Sequence, residues 1–436
     1  MAQIIPFRGI RYNPDKITDM SNVVTPPYDR IYATVQDLCY DRDPHNIVRI
    51  IKGKQPSGMN GGDVYTRAAK YLAAWLQEGV LVRDETPAIY VYHQEYTFAG
   101  ERLVRKGFVA LGRLEPDKVH AHEKTLKGPK EDRLRLMRAT EANFGQIFML
   151  YSDSLRKAEE ALAVAIEGVS PKIEAVDADG NIHRVWPITD PAVIQTVQAS
   201  LAAKDLYIAD GHHRYETAVN FMAECEEKGW RETAPESFGY RMMTLFNIAE
   251  PGMSVRPIHR LVHGIEQYDA AEFLAKAGED FAVERYSSLQ KMTAAVSAGA
   301  AHHTFGCYTG GIYATLRLRD EATMDNRVSG DLSSDYKRLD VSILHAAILE
   351  RLLGVDAQAL AEQRNVTYTI DSEHGATMVD EGREQIFFLM NATTADEVIR
   401  VADHGEKMPQ KSTDFYPKLL TGLVLSKMEI EKSAVQ

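Results

Sequence analysis

The stretch 205–223, Asp-Leu-Tyr-Ile-Ala-Asp-Gly-His-His-Arg-Tyr-Glu-Thr-Ala-Val-Asn-Phe-Met-Ala, constrains this chain more than any other. Leu206, Tyr207, Ile208 and Ala209 form an apolar run long enough for one buried strand. Asp210 and Gly211 break it, and from Glu216 onward Ala218, Val219 and Met222 share one helical face. Strand, tight turn and helix together aim backbone N–H groups at an anion. Gly211 allows a positive backbone dihedral or a close ligand approach. Arg214 offers a planar fork suited to phosphate or carboxylate. Two imidazoles, a guanidinium and two carboxylates fall between Asp210 and Glu216. A phosphate site, a metal site, or both together fit that density. An ordinary polar turn is the plain alternative, because Asp-Gly is a common turn dipeptide.

At 436 residues the chain predicts two or three domains. Its 44% apolar and 26% charged content is that of a soluble globular protein. No apolar run reaches membrane-span length, so no membrane partner is expected. The N-terminus lacks the basic start and apolar core of a signal peptide. Cys39, Cys225 and Cys307 are scattered, without metal spacing, which points to a reducing cytoplasm and no disulfide frame. A formal net charge of −12 argues against nonspecific nucleic-acid binding. It leaves room for a local basic pocket holding an anionic small molecule.

Along the chain, Thr25-Pro-Pro-Tyr-Asp29 reads as a loop stiffened by tandem prolines, either plain surface or the rim of a site. Asp63 caps a helix through Gln77, and residues 88–98 and 103–111 form a hairpin around Ala99-Gly100-Glu101. Residues 115–138 turn polar, with His120, His122 and Glu123 followed by Lys124, Lys127, Lys130, Arg133 and Arg135. His-x-His is compatible with a metal, a solvated loop with none. Lys127-Gly-Pro-Lys130 reads as a stiff basic loop able to hold cations toward an anion. Residues 173–176 and 182–185 suggest a hairpin, and Asp190-Pro191 opens a helix. Residues 240–248 read as a strand, 340–353 as an amphipathic helix, and Thr394 with Glu397 as a capping box. Lys411-Ser412-Thr413 offers an ammonium and two hydroxyls, without the glycines of a P-loop.

Five stretches carry a resemblance to a known family. They are Thr25-Pro-Pro-Tyr-Asp29, His122-Glu-Lys-Thr-Leu126, Asp210-Gly-His-His-Arg-Tyr-Glu-Thr-Ala218, Leu339-Asp-Val-Ser-Ile-Leu-His345, and Met408-Pro-Gln-Lys-Ser-Thr413 with Phe415-Tyr-Pro-Lys418. Over nearly its whole length the chain resembles the bacterial and archaeal family called domain of unknown function ten-fifteen. The turn Asp210-Gly-His-His-Arg214 is also similar to the nucleotide-phosphate motif of the ParB and sulfiredoxin-like fold, over about residues 185–225. That superfamily includes free-serine kinases, which phosphorylate L-serine with ADP or ATP. The likeness implies that Gly211, His212, His213 and Arg214 hold nucleotide phosphates.

The expected fold is mixed α and β, with a ParB/sulfiredoxin-like core and α/β domains on either side. The expected domains are 1–150, 151–265 containing the Asp210 turn, and 266–436. The expected function is phosphoryl transfer from ATP or ADP to a small hydroxyl substrate such as free serine. Such transfer needs positioning and charge neutralisation more than covalent chemistry. Lys124, Lys127, Lys130 and Lys411, with Ser412 and Thr413, are candidates to hold phosphate. Asp210 or Glu216 would bind Mg²⁺. Glu123 is the candidate general base, and Asp210 and His212 complete the catalytic set. A homodimer is compatible with this reading. Two rivals are a metal-dependent phosphoester hydrolase using His120, His122, His212 and His213, and a non-catalytic nucleotide-sensing or DNA-partition module, the acidic balance arguing against DNA.

Overall fold

A computed structural model describes residues 3–55, 63–116, 118–120 and 127–432. Two compact units emerge. The described residues through 120, with 127–254 and 417 onward, form the first, and 255–416 form the second. Both mix α and β, as the sequence predicts.

The first unit is built on a nine-stranded sheet. Its strands are β1 (Ile4–Ile5), β2 (Ile89–Phe98), β3 (Glu101–Arg113), β4 (Val119–His120), β5 (Ile147–Tyr151), β6 (Ile173–Val176), β7 (Ile182–Ile188), β8 (Leu206–Asp210) and β9 (Tyr240–Asn247). Their order is β4-β8-β5-β9-β3-β2-β7-β6, with β1 also on β3. The pairs β4–β8 and β5–β9 are parallel and the rest antiparallel. The sheet takes strands from both sides of residue 150, so the boundary expected there falls within one layer. Residues 182–247 add their strands to this larger sheet.

Local signals explain the elements. In the β2–β3 hairpin Ala99 and Gly100 take φ of 51° and 84°, and Glu101 already pairs with Phe98 as strand. Asp63 accepts from the Thr66 N–H at 2.7 Å and starts α1 (Val64–Gln77). The other helices are α2 (Lys127–Thr140), α3 (Lys157–Ile166), α4 (Pro191–Leu201, capped by Asp190) and α5 (His212–Glu227). Lys127-Gly-Pro-Lys130 is therefore the first turn of a helix rather than a basic loop. Proline is well tolerated there, because first-turn N–H groups have no intrahelical acceptor. Helix α5 buries Tyr215, Ala218, Phe221 and Cys225 against the sheet core with Ile147, Met149 and Ile208. That helical spacing fixes which face of α5 turns outward.

The second unit has a six-stranded antiparallel sheet of β10 (His259–Val262), β11 (Phe281–Tyr286), β12 (Thr304–Thr309), β13 (Ile312–Leu318), β14 (Val366–Thr369) and β15 (Ile386–Leu389). Its order is β11-β13-β12-β15-β10-β14. The expected helix over 340–353 is interrupted by a π-helical stretch, Leu344–Glu350. The Thr394–Glu397 capping box is present. Cys39, Cys225 and Cys307 are buried free thiols. Among the described residues no helix is long and apolar enough to cross a membrane.

Candidate functional site

The site lies in the first unit, where β8 runs into α5. The register of β8 against β5 shifts between Ile208 and Asp210, a bulge that re-aims the strand end. Gly211 follows with φ of 102° and ψ of 25°, and α5 begins at His212. The helix thus starts one turn earlier than its apolar pattern indicates. His212, His213 and Arg214 form its first turn, at the positive end of the helix dipole.

Gly211 is required twice over. Its φ disfavours any side chain, and an added Cβ would sit 3.0–3.1 Å from the Arg214 guanidinium. Gly211→Ala is expected to cost about 1–2 kcal/mol from the backbone alone. Urea unfolding that finds the variant as stable as wild type would remove this account of the turn.

Arg214 is only 6% exposed. Its Nη2 donates to Asp210 Oδ2 at 2.7 Å, and its Nη1 donates to the Gln146 carbonyl. The guanidinium expected to grip phosphate therefore braces the turn that carries it. On the other side of Asp210, Lys418 Nζ lies 3.6 Å from Oδ1. Burial pushes the Asp210 carboxyl up, but Lys418, Arg214, His212 and Arg30 outweigh it and hold it well below the ordinary range. Asp210 is thus a fixed anion that positions two cations, and a weak proton acceptor.

The segment bearing Lys418 is held from below. Gln94 Nε2 donates to the Lys418 carbonyl at 3.0 Å, and buried Arg105 donates to the Pro417 carbonyl. Thr421 and Thr25 exchange backbone hydrogen bonds at 2.8 and 3.0 Å. That pairing brings the Thr25-Pro-Pro-Tyr-Asp29 loop to the site. The Arg133 guanidinium stacks over the Tyr28 ring, 4.3 Å from its centroid.

Lys130, on α2, donates to Glu216 Oε2 on α5 at 2.8 Å. His212 is 4% exposed and turned into the protein. His213 is half-buried. Burial lowers its pKa, with Lys130 and Arg214 adding to the effect against Glu216 and Asp29. It is a neutral imidazole near pH 7 rather than a cation for phosphate.

The structure brings Asp210, Gly211, His212, His213, Arg214, Glu216 and Lys130 together. Lys127 opens α2, but its side chain lies outside what is described. Glu123, Lys124 and His122 lie outside the described residues. Lys411, Ser412 and Thr413 belong to the second unit. There Lys411 has φ of 59° and its carbonyl accepts from Arg260 at 2.9 Å, while Ser412 donates to the Pro409 carbonyl at 2.6 Å. Lys418 escaped sequence reasoning as a site residue, and so did Arg241, which lines a cavity with Arg214 and Arg133. Lys418 stands in a stretch that carries the family resemblance, so a signal existed. Arg241 sits in β9, buried at every position, and left none.

Magnesium fits these residues poorly. Glu216 is held by Lys130, and Asp210 by Arg214 and Lys418, so a cation would have to displace existing ones. Among the described residues no group of three or more His, Cys, Asp or Glu is placed to hold a metal. His120, a metal candidate of the hydrolase reading, stacks on Tyr207 with ring centroids 5.1 Å apart.

Fold and site together define a mixed α/β protein with a cation-ringed carboxylate at a strand–helix junction. The chain belongs to the family described as protein of unknown function DUF1015, whose model matches residues 4–342. No curated protein matches it. Among solved structures it is similar to a conserved hypothetical protein from Pyrococcus furiosus, at 12% identity and a TM-score of 0.33, covering 71% of this chain and 92% of that one. It is similar to a free serine kinase in complex with AMP at 13% identity and a TM-score of 0.33, covering 71% and 86%. A C-terminally truncated SbnI from Staphylococcus aureus aligns at 10% identity and a TM-score of 0.34, covering 72% and 85%. At such scores the alignments establish no shared fold.

Proposed function

We propose that this protein is a nucleotide-dependent phosphotransferase acting on a small hydroxyl substrate, with ATP or ADP as donor and free L-serine as the first acceptor to test. The observation that carries the proposal is the ring of cations around the start of α5. Lys130, Arg133, Arg214 and Lys418 gather there in a chain of net charge −12. A helix start with converging cations suits phosphate oxygens, and phosphoryl transfer is largely positioning and charge stabilisation. In this reading Lys130 and Lys418 face the phosphates, while Asp210 and Arg214 hold the turn in shape. No resident metal is part of the proposal, and magnesium is taken as the nucleotide's own counter-ion. Glu123 accepts the hydroxyl proton.

Lys130→Met is expected to weaken ADP or ATP binding by about 1.5–3 kcal/mol, the worth of a hydrogen bond to a charged group. Equal affinities by calorimetry would take Lys130 out of the site. Phosphorus NMR with ADP or ATP and a panel of hydroxy amino acids tests the reaction. A new phosphomonoester signal is the expected result. Its absence with every pair, from protein that binds nucleotide, would favour a sensing module. Phosphate release from added phosphomonoesters would favour a hydrolase.

A further inference from the structure

Behind the α5 turn, within the same unit, lies a cavity of about 40 Å³. It is several times the roughly 10–15 Å³ that one water needs, and far too small for a whole nucleotide. Three guanidiniums line it, from Arg133, Arg214 and Arg241. Tyr28, Thr217 and Thr421 also line it, the Thr217 hydroxyl donating to the His213 carbonyl at 2.6 Å, and Leu136 and Phe144 form an apolar wall.

The three arginines are not equivalent. Arg214 has Asp210, and Arg133 has Asp132. Among the described residues Arg241 has no carboxylate within 4.0 Å. It is 4% exposed, and its one hydrogen bond runs from Nη2 to the Gly145 carbonyl at 3.1 Å. Its Nε and Nη1 have no partner among the described residues, and neither has the neighbouring Gln146 Nε2. Folded proteins rarely leave buried donors unmet, and a buried charge without a counter-charge is more costly still. Burial, then Arg214 and Arg133, push the Arg241 pKa down to about 9. Each unmet group is a donor, so what is missing is an acceptor carrying negative charge.

We propose that this cavity binds a small oxyanion, the carboxylate or phosphate group of a ligand, with Arg241 as its principal counter-charge. A planar fork matches two oxygens of either group. The apolar wall keeps water from screening the pair. The inference stands on Arg241 and the cavity and does not rest on phosphotransfer.

The test is calorimetry on the full-length protein at low ionic strength, with inorganic phosphate and, separately, acetate as probes. Wild type is expected to bind at least one of them at a single site. Arg241→Gln should weaken that binding at least about tenfold, a difference calorimetry resolves. Arg138→Gln, which removes an exposed guanidinium paired with Glu224, should leave it unchanged. Which probe binds identifies the ligand's anionic group. Arg241→Lys keeps the charge without the fork and serves if Arg241→Gln does not fold; it too should bind the probe more weakly. Thermal unfolding gives an independent reading. The bound probe should raise the wild-type Tm and leave that of the Arg241 variant unmoved. No single-site binding of either probe by wild type, or affinity unchanged in the Arg241 variants, would overturn the site and leave the cavity to water.

Discussion

Asp210→Asn is expected to destabilise the protein by about 3 kcal/mol at neutral pH, the lower end for breaking a buried ion pair. The lower end applies because the Asp210 side chain is 22% exposed. Asparagine keeps the shape but removes the charge. Arg214, 6% exposed, and Lys418 then lose their shared counter-charge while remaining in place. The penalty comes from those stranded cations more than from one lost hydrogen bond. Its pH dependence has a definite sign. The folded-state pKa of Asp210 lies below the ordinary 3.8, so its contribution is present above that value. It fades as pH falls toward the folded-state pKa. The gap between wild type and Asp210→Asn should therefore be constant from about pH 7 to 5 and shrink below about pH 4. Urea unfolding across that range measures it. A gap that widens in acid, or none at neutral pH, would mean that Asp210 does not hold the turn together.

The largest effect on rate is expected from Glu123→Gln, a fall in turnover of roughly 10²–10⁴, the usual worth of general-base catalysis. Glu123 is the carboxylate the sequence offers beside Lys124. In the proposed reaction the substrate hydroxyl attacks the terminal phosphorus in line. The bond to the departing nucleotide oxygen breaks, and the hydroxyl proton passes to Glu123. Glutamine keeps the size of the side chain and cannot take that proton. Nucleotide affinity should hardly change, because the proton moves only in the chemical step. Single-turnover rates and calorimetry on the same preparation separate the two. Loss of nucleotide binding together with turnover would make Glu123 a binding or folding residue. Unchanged turnover would return the base to another group.

Much of the secondary structure was legible because its signals are local. Asp63, Asp190 and Thr394 cap helices through side-chain oxygens only two or three residues from the N–H groups they satisfy. The Ala99-Gly100 turn and the alternation in β6 act over similarly short spans. Two local readings failed for identifiable reasons. His212, His213 and Arg214 look like loop because they are polar, yet they occupy a first helical turn in which His212 and Arg214 are buried and Arg214 is met by Asp210 and the Gln146 carbonyl, partners that only the folded chain supplies. Lys127-Gly-Pro-Lys130 looks like loop because of its glycine and proline, which a first turn tolerates.

By itself the sequence determined the mixed α and β class, the family, and the stretch around Asp210 at which polar groups crowd a strand end. Each of these is written in neighbouring residues. Only the tertiary structure decided what those groups touch. It brought Lys418 to Asp210, Lys130 to Glu216, and the Thr25 loop beneath Arg133, all between segments distant in the chain. It also turned Arg214 from a presumed ligand grip into a brace, by closing the sheet around it. Arg241 is the clearest case. Every residue of β9 is buried, so no period marks the arginine as different from the apolar side chains beside it. Its uncompensated charge becomes visible only once the strands are paired and its neighbours are known, because counter-charge is a matter of distance in space.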